Sequence, residues 1–157
     1  MSTARTIVIT GASSGLGFAL AKAFVERGDN VVGNARTQAR LDQAAIELGN
    51  PAAFVGVAGD IADSSTAQRP FDTALQVFGR VDILVNNAGI FIPKPFTDYT
   101  EQDIDALFAT NLKGFVYPSQ AAAKIMSAQG HGHIVAITAS VAMQPNVRVP
   151  AALPILV

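Results

Sequence analysis

The sequence predicts an α/β protein built on a doubly wound parallel sheet. Short runs of β-branched residues alternate along the 157 residues with longer segments of helical composition. The short runs are largely apolar without strict alternation, which is typical of strands buried on both faces of a parallel sheet. Strand and helix alternate throughout, and this order favours the doubly wound arrangement.

Five strands and four helices follow from this pattern. The strands are predicted at Thr6–Thr10, Val31–Ala35, Ala53–Val57, Val81–Val85 and His133–Thr138. The helices are predicted at Leu16–Arg27, Gln38–Leu48 and Pro70–Phe78, with a long helix from Thr100 towards Ser127. Glycine follows each of the first three helices, and proline suits a first helical turn, so the third helix is predicted to begin at Pro70.

The long helix carries an apolar stripe with one polar residue in its middle. The stripe consists of Ile104, Leu107, Phe108, Phe115 and Val116. These residues recur at helical spacing and predict a buried face. Asn111 lies within that stripe, and a buried amide must find hydrogen-bond partners. Asn111 is therefore either a satisfied structural residue or a placed functional one.

Composition and charge predict one globular domain spanning residues 1–157. Hydrophobic residues make up 50% and charged residues 15% of the chain, enough to bury a core. A net charge of -1 with scattered cations disfavours nucleic-acid binding. Cysteine is absent, which excludes disulfides and thiolate metal sites. The start of the chain runs into a short apolar strand instead of a long signal-type apolar core, so together with the lack of cysteine we expect a cytoplasmic protein. No apolar run approaches the ~20 residues needed to cross a bilayer, so we predict no membrane contact.

The stretch TGASSGLG, Thr10–Gly17, follows the first strand and opens the first helix. Gly11 allows a tight turn, Gly15 lets the backbone approach a phosphate, and Gly17 permits close helix packing. The helix N-terminus offers amides and a positive dipole end to a pyrophosphate. The stretch therefore predicts a phosphate cradle, the alternative being a glycine-rich turn with no ligand.

The end of the second strand predicts a preference for NADP(H), with NAD(H) as the alternative. An acidic side chain at this point binds the ribose 2'-hydroxyl of NAD, but Ala35 holds the place and Arg36 follows. The arginine fork suits a phosphate. A solvated loop charge is the other interpretation of Arg36. Arg40 adds to the positive field or, as we favour, lies on an exposed helix face.

Three further segments carry candidate site residues. Asp60, after the third strand, is either an adenine ligand with Ile61 packing nearby or a turn aspartate. Asn86–Gly89 (NNAG) follows the fourth strand at the sheet edge where open α/β folds bind ligands, although one amide is also suited to tying strands together. His131 and His133 lack a third ligand, so we interpret them as loop residues and predict no metal site.

Taken together, these motifs resemble the short-chain dehydrogenase/reductase family. TGASSGLG, the Asp60 turn, NNAG, NLKG (Asn111–Gly114) and IVAITAS (Ile134–Ser140) occur in the order and approximate spacing of that family over essentially the whole chain. The resemblance implies a Rossmann-type sheet that holds NAD(P) over its carboxyl edge. The cofactor-binding residues that it implies are Gly11, Ser13, Ser14, Gly15, Leu16, Gly17, Arg36, Asp60, Ile61, Asn87, Ala88 and Gly89.

The resemblance also implies an active site of asparagine, serine, tyrosine and lysine. Asn111 matches the asparagine that supports a proton relay, and Ser140 matches the serine that hydrogen-bonds the substrate oxygen. These matches favour a functional role for Asn111. They imply hydride transfer between the cofactor and a small alcohol or carbonyl substrate, in a homo-oligomer that is a dimer or tetramer.

The sequence departs from the family after Ser140. The family tyrosine usually lies about a dozen residues further on and begins Y-x-x-x-K, which stacks both side chains on one helix face. Leu153 lies near that position, and no lysine follows. Three hypotheses remain open: a shortened or atypical oxidoreductase that lacks the last strands of the family fold, a catalytically silent nucleotide-binding or partner-binding protein, and a fragment or altered end of a longer chain.

Overall fold

A computed structural model of the protein describes residues 4–139. Its five strands, all parallel, are β1 (Thr6–Thr10), β2 (Asn30–Ala35), β3 (Phe54–Ala58), β4 (Ile83–Asn86) and β5 (His133–Ala136). Their order in the sheet is β3-β2-β1-β4-β5. The chain winds outward from β1 to β3 and then crosses back to β4 and β5. The predicted doubly wound parallel sheet is confirmed, with differences only at the strand ends.

Five α-helices connect the strands in the described part of the chain. They are α1 (Gly15–Glu26), α2 (Gln38–Glu47), α3 (Ser64–Phe78), α4 (Glu101–Leu107) and α5 (Gly114–Gln129). A 3₁₀ turn at Phe96–Asp98 precedes α4, and a π-helical segment at Phe108–Lys113 joins α4 to α5. None of the helices described within residues 4–139 has the length and apolar character that crossing a bilayer demands.

The prediction that the third helix begins at Pro70 is wrong. Helix α3 begins at Ser64, because the Asp63 carboxylate accepts hydrogen bonds from the backbone N–H groups of Ser65 at 2.7 Å and Thr66 at 3.3 Å. An aspartate in this position satisfies amides that the first helical turn leaves unpaired. Pro70 lies buried inside the helix instead, where it has no N–H to donate.

The long helix also differs from the prediction, because the π segment interrupts it. A π turn adds a residue to the helical path and so changes which positions face the sheet. Of the predicted stripe, Leu107 is buried, whereas Ile104, Phe108 and Phe115 are exposed. Beyond the π segment the buried residues of α5 are Gly114, Pro118, Ala121, Ala122 and Met126.

Two apolar layers cover the faces of the sheet. Ile7 and Ile9 of β1 pack into the layer formed with α1 and α2, and Val8 packs into the layer formed with α3 and α5. β1 is buried at every position, as predicted for a strand buried on both faces of a parallel sheet. β5 is exposed at every position, contrary to the prediction of a buried strand, because β4 is its only strand neighbour among the described residues.

Ion pairs stabilise the amino edge of the sheet, which lies opposite the carboxyl edge where the motifs are. Arg80 donates to the Asp82 carboxylate through Nε at 2.8 Å, and the Thr6 N–H donates to the same carboxylate at 2.8 Å. Burial raises the pKa of Asp82, but these hydrogen bonds outweigh burial and leave the pKa below its usual value. The Arg5 guanidinium likewise lowers the pKa of Asp29. These contacts hold the start of β1 in place.

Candidate cofactor site

The glycine-rich loop between β1 and α1 is shaped by close backbone contact. A Cβ on Gly17 would lie 2.2 Å from the Gly11 carbonyl oxygen and 2.5 Å from Asn87 Nδ2, so only glycine fits there. At Gly15, φ is +55° and no atom lies within 4 Å of a Cβ position. The loop is therefore packed tightly beneath Gly17 and open above Gly15, which suits a bulky group placed close to the backbone.

The N-terminus of α1 opens at this loop. Its N-cap residue, Ser14, makes no side-chain capping hydrogen bond, and the first turn contains no acidic residue. The first amides of a helix have no intrahelical partners, and the helix dipole makes this end positive. The end of α1 is thus suited to an anion such as a pyrophosphate.

A set of hydrogen bonds ties this loop to the NNAG segment after β4. The Thr10 hydroxyl accepts hydrogen bonds from the N–H groups of Asn87 and Ala88, each at 3.0 Å. In return, Asn87 Nδ2 donates to the carbonyl oxygens of Thr10 at 3.0 Å and Gly11 at 3.2 Å. Asn87 therefore ties the two strands together, which is one of the roles predicted for an amide of this motif. Thr10 was not predicted as a site residue, although its place at the end of β1 pointed to this edge.

A cleft of about 590 Å³ lies over the carboxyl ends of β1, β2, β3 and β4. The predicted cofactor residues that line it are Gly11, Ser13, Ser14, Arg36, Asp60, Ile61, Asn87, Ala88 and Gly89. Gly15, Leu16 and Gly17 do not line it. The structure adds Asn34, Ala35, Thr37, Arg40, Gly59, Ile90 and Thr110 to the lining. The sequence had already drawn attention to Ala35 and Arg40, and for most of the others the only signal was that they neighbour predicted residues.

At the end of β2 the cleft has basic side chains and no acidic one. Ala35 and Arg36 both line it, which agrees with their predicted position at the end of the second strand of a dinucleotide site. Asn34, 2% exposed, is held by its own hydrogen bonds, since Nδ2 donates to the carbonyl oxygens of Val57 at 3.0 Å and Gly59 at 3.1 Å. The amide of Asn34 therefore ties the end of β2 to the end of β3, and Arg36, directly after β2, lines the cleft.

Asp60 has the turn role that the sequence predicted as one alternative, and it also lines the cleft. Its Oδ1 accepts a hydrogen bond from the Ala62 N–H at 2.9 Å, which is the turn role. The residue is nevertheless exposed and lines the cleft. Ile61 is 4% exposed, and its Cγ2 would lie 2.9 Å from a Cβ on Gly114. This contact seats the turn on the first residue of α5.

Asn111 lies in the π segment and hydrogen-bonds the backbone of Ile90, the residue that follows NNAG. Its Oδ1 accepts a hydrogen bond from the Ile90 N–H at 2.8 Å, and its Nδ2 donates to the Ile90 carbonyl oxygen at 2.9 Å. The amide is thus satisfied, and it also fixes Gly89 and Ile90 at the cleft wall. The other predicted catalytic residue, Ser140, lies outside the described residues.

The two histidines lie away from the cleft. His131 Nδ1 is 3.6 Å from Asp82 Oδ1 at the amino edge of the sheet, and His133 opens β5. Within residues 4–139 no three histidine, aspartate or glutamate side chains are grouped so that they could hold a metal ion.

Comparison with known proteins identifies the family. A family model described as short chain dehydrogenase matches residues 5–151. This chain belongs to the short-chain dehydrogenase family. The resemblance inferred from the motifs is thereby confirmed. Relatives in the family include an uncharacterized oxidoreductase of Staphylococcus epidermidis, 32% identical over 90% of this chain and 61% of its own, and an oxidoreductase of Sarocladium schorii, 37% identical over 85% and 53%.

Solved short-chain dehydrogenases share the fold. A short chain dehydrogenase from Bacillus anthracis superposes with a TM-score of 0.87 at 30% identity, over 94% of this chain and 64% of that one. A 3-ketoacyl-(acyl-carrier-protein) reductase from Brucella melitensis, solved in complex with NADH, gives 0.87 at 30% identity over 96% and 64%. This chain therefore spans about six tenths of the length of such relatives.

Proposed function

We propose that this chain forms the nucleotide-binding unit of an oxidoreductase that moves a hydride between NADP(H) and a small alcohol or carbonyl substrate. One observation carries the proposal. The cleft draws its lining from all three nucleotide motifs at once: the glycine-rich loop, the Asp60 turn and NNAG. Ligands of open α/β folds bind at this edge of the sheet. The proposal extends what is common to the family to this chain.

The residues present fit a dinucleotide. The uncapped end of α1 and the open space at Gly15 suit its pyrophosphate, and the Asp60 carboxylate suits an adenine amino group. We assign a cofactor-binding role to the residues predicted from the sequence. Gly17 contributes by holding the loop, since only glycine fits against Gly11 there. The role of Leu16, which does not line the cleft, is assigned from the resemblance alone.

The preference for NADP(H) over NAD(H) rests on Ala35 and Arg36. An alanine at the end of β2 offers no carboxylate to the ribose hydroxyls, and an arginine offers a fork of donors to a 2'-phosphate. The Brucella reductase was solved with NADH, so NAD(H) is the alternative that the experiment below must separate.

Reduction of a carbonyl requires a hydride and a proton. The nicotinamide supplies or accepts the hydride when bound, and the chain must orient the substrate and handle the proton. Asn111 fixes the backbone of Ile90 at the cleft wall, and Ser140 is proposed to hydrogen-bond the substrate oxygen. A positioned general acid or base contributes ~10² to 10⁴ in rate, and the residues given after Ser140 include neither tyrosine nor lysine.

The same observation favours a second candidate, a nucleotide-binding protein that turns nothing over. A matched experiment separates the two. Fluorescence titrations with NADPH and NADH measure binding, and NADPH oxidation over a panel of ketones and aldehydes measures turnover for the wild type and Ser140→Ala. Binding with turnover that Ser140→Ala abolishes supports the oxidoreductase. Tight binding without turnover supports the silent protein, and failure to bind either nucleotide contradicts both.

Further proposals concern assembly and location. We propose one domain over residues 1–157, a cytoplasmic location, and a homo-oligomer, either a dimer or a tetramer. The exposed apolar side chains of the α4 to α5 region, namely Ile104, Phe108, Leu112 and Phe115, support association of copies. Light scattering of purified protein tests this, and a single monomer mass across the concentration range would contradict it.

A further inference from the structure

The π segment between α4 and α5 touches the cleft on one side and presents apolar side chains on the other. Thr110 of this segment lines the cleft. Phe108 and Leu112, two residues before and two residues after it, are exposed. Residues two positions apart lie on roughly opposite sides of a helix, so the segment has a cleft side and an outer side.

The outer side continues into both flanking helices and suits a second copy of the chain. The exposed apolar residues that form this outer surface are Ile104, Phe108, Leu112 and Phe115. Exposed Asp105 lies towards its amino end and exposed Lys113 towards its carboxyl end. When two copies pack this surface on itself about a two-fold axis, with the helical segments antiparallel, the acidic end of each copy approaches the basic end of the other. Charge and apolar character therefore both favour a second copy as the occupant.

The π segment has little anchorage in the core. Phe108, Leu112 and Lys113 are exposed, and the other three residues are half-buried. Helical segments in proteins owe most of their stability to packing, so the position of this one depends on its few tertiary contacts. Asn111 makes two of them, the hydrogen bonds with the backbone of Ile90. Gly114, directly after the segment, lies against Ile61.

Both contacts lead to the wall of the cleft. Ile61 and Ile90 line the cleft, as Thr110 does. The turn that carries Ile61 is held by short-range hydrogen bonds, since the Asp60 carboxylate accepts from the Ala62 N–H at 2.9 Å. A nucleotide that fills the cleft bridges these separate parts of the wall and restricts their motion relative to one another. A second binding event that needs the same order then costs less free energy.

We propose that nucleotide binding and self-association are coupled through residues 108–114. A bound nucleotide fixes the segment from the cleft side, and a second copy fixes it from the outer surface, so each event favours the other. The inference rests on the proposed nucleotide-binding function and adds a means of regulating that site. Coupling of binding free energies is reciprocal, and it typically amounts to roughly fivefold to a hundredfold in affinity.

The first test measures the coupling from both directions in the wild-type protein. Sedimentation velocity over a concentration series gives the dissociation constant of self-association, with and without saturating NADPH. We expect NADPH to lower this constant by at least about fivefold. NADPH titrations at protein concentrations below and above the constant should show an affinity that rises by the same factor. Hydrogen exchange of the amides of residues 108–114 should slow when NADPH binds.

Variants separate the outer surface, the link and the cleft. Phe108→Ser and Phe115→Ser, both at exposed positions, should stay monomeric and bind NADPH with an affinity that does not depend on protein concentration. Asn111→Ala removes the hydrogen bonds to Ile90 but does not alter the lining of the cleft. It should still bind NADPH and still associate, with a coupling factor close to one.

Ile46→Ser is the matched control. Ile46 is an exposed apolar residue of α2 that belongs neither to the outer surface nor to the cleft lining, so the variant should behave as the wild type. Circular dichroism of each variant verifies that it is folded before its constants are compared.

Four results would overturn the inference, and they differ in what else they affect. Equal association constants with and without saturating NADPH would leave both sites working but independent. Undiminished coupling in Asn111→Ala would exclude the π segment as the link. A wild type that stays monomeric with and without NADPH would remove the proposed homo-oligomer as well. A wild type that associates but binds neither NADPH nor NADH would remove the proposed function itself.

Discussion

Gly17→Ala tests the packing of the glycine-rich loop. The added Cβ would lie 2.2 Å from the Gly11 carbonyl oxygen and 2.5 Å from Asn87 Nδ2, well inside the ~3.5 Å of ordinary contact. The nearest atom belongs to the backbone and cannot rotate away. Overpacking of this kind costs up to about 3 kcal/mol, whereas alanine in place of glycine gains about 1 kcal/mol of helix propensity. We expect a net loss of about 2 kcal/mol in the free energy of unfolding.

Urea denaturation followed by circular dichroism measures this loss. A change of about 2 kcal/mol moves the midpoint down by roughly 1 M. Gly114→Ala is the comparison in another helix, because its Cβ would meet one side-chain atom closely, Ile61 Cγ2 at 2.9 Å, rather than a backbone atom at 2.2 Å. We expect a clearly smaller loss there. Equal stability of Gly17→Ala and Gly114→Ala would refute the packing argument. Because Gly17 holds the loop, NADPH binding should weaken in Gly17→Ala.

Two further predictions follow from the hydrogen bonds. Thr10→Val removes the acceptor of two backbone amides, one of them on Asn87, and should cost about 1–3 kcal/mol in urea denaturation; Thr10→Ser should restore most of it. The Lys94 ammonium and then the Thr100 side chain lower the pKa of Asp103 to about 2. A lowered pKa stabilises the folded state above the unfolded pKa near 4, and this stabilisation is lost as pH falls towards 2. The melting-temperature difference between wild type and Asp103→Asn should therefore shrink below pH 4, and a constant difference would contradict the assignment.

Much of the cleft could be predicted because its parts are short and local. The glycine-rich turn follows β1 directly, and polar residues directly follow β3 and β4. Segments that follow parallel strands lie at the carboxyl edge of the sheet, so the order of elements along the chain was enough to place them there. Nine of the twelve predicted cofactor residues line the cleft. The exceptions are instructive, since Gly17 lies beneath the loop and Leu16 is turned outward at 53% exposure. The sequence pattern could identify the loop but not which side of it each residue faces.

The errors have a common origin in competition between local signals. Pro70 is a good first-turn residue, but Asp63 is a better cap, and only the folded chain decides between them. The π segment at Phe108–Lys113 could not be predicted from helical spacing. A π turn takes one more residue of the chain than an α turn, which shifts the buried face without any sign in the amino-acid composition. Asn111 was predicted as either structural or functional, and its paired hydrogen bonds to Ile90 give it a structural partner at the wall of the functional cleft.

The sequence by itself determined the fold class, the family and the edge of the sheet where the motifs meet, because periodicity and turn residues act over a few neighbouring positions. The tertiary structure alone decided which distant groups touch. It joined Thr10 to Asn87 across two strands, and it placed Arg40 in the same concave surface as Arg36. Such contacts depend on strand order and helix orientation, which result from burial of the whole core. The local sequence around each residue therefore does not show which distant residue it will contact.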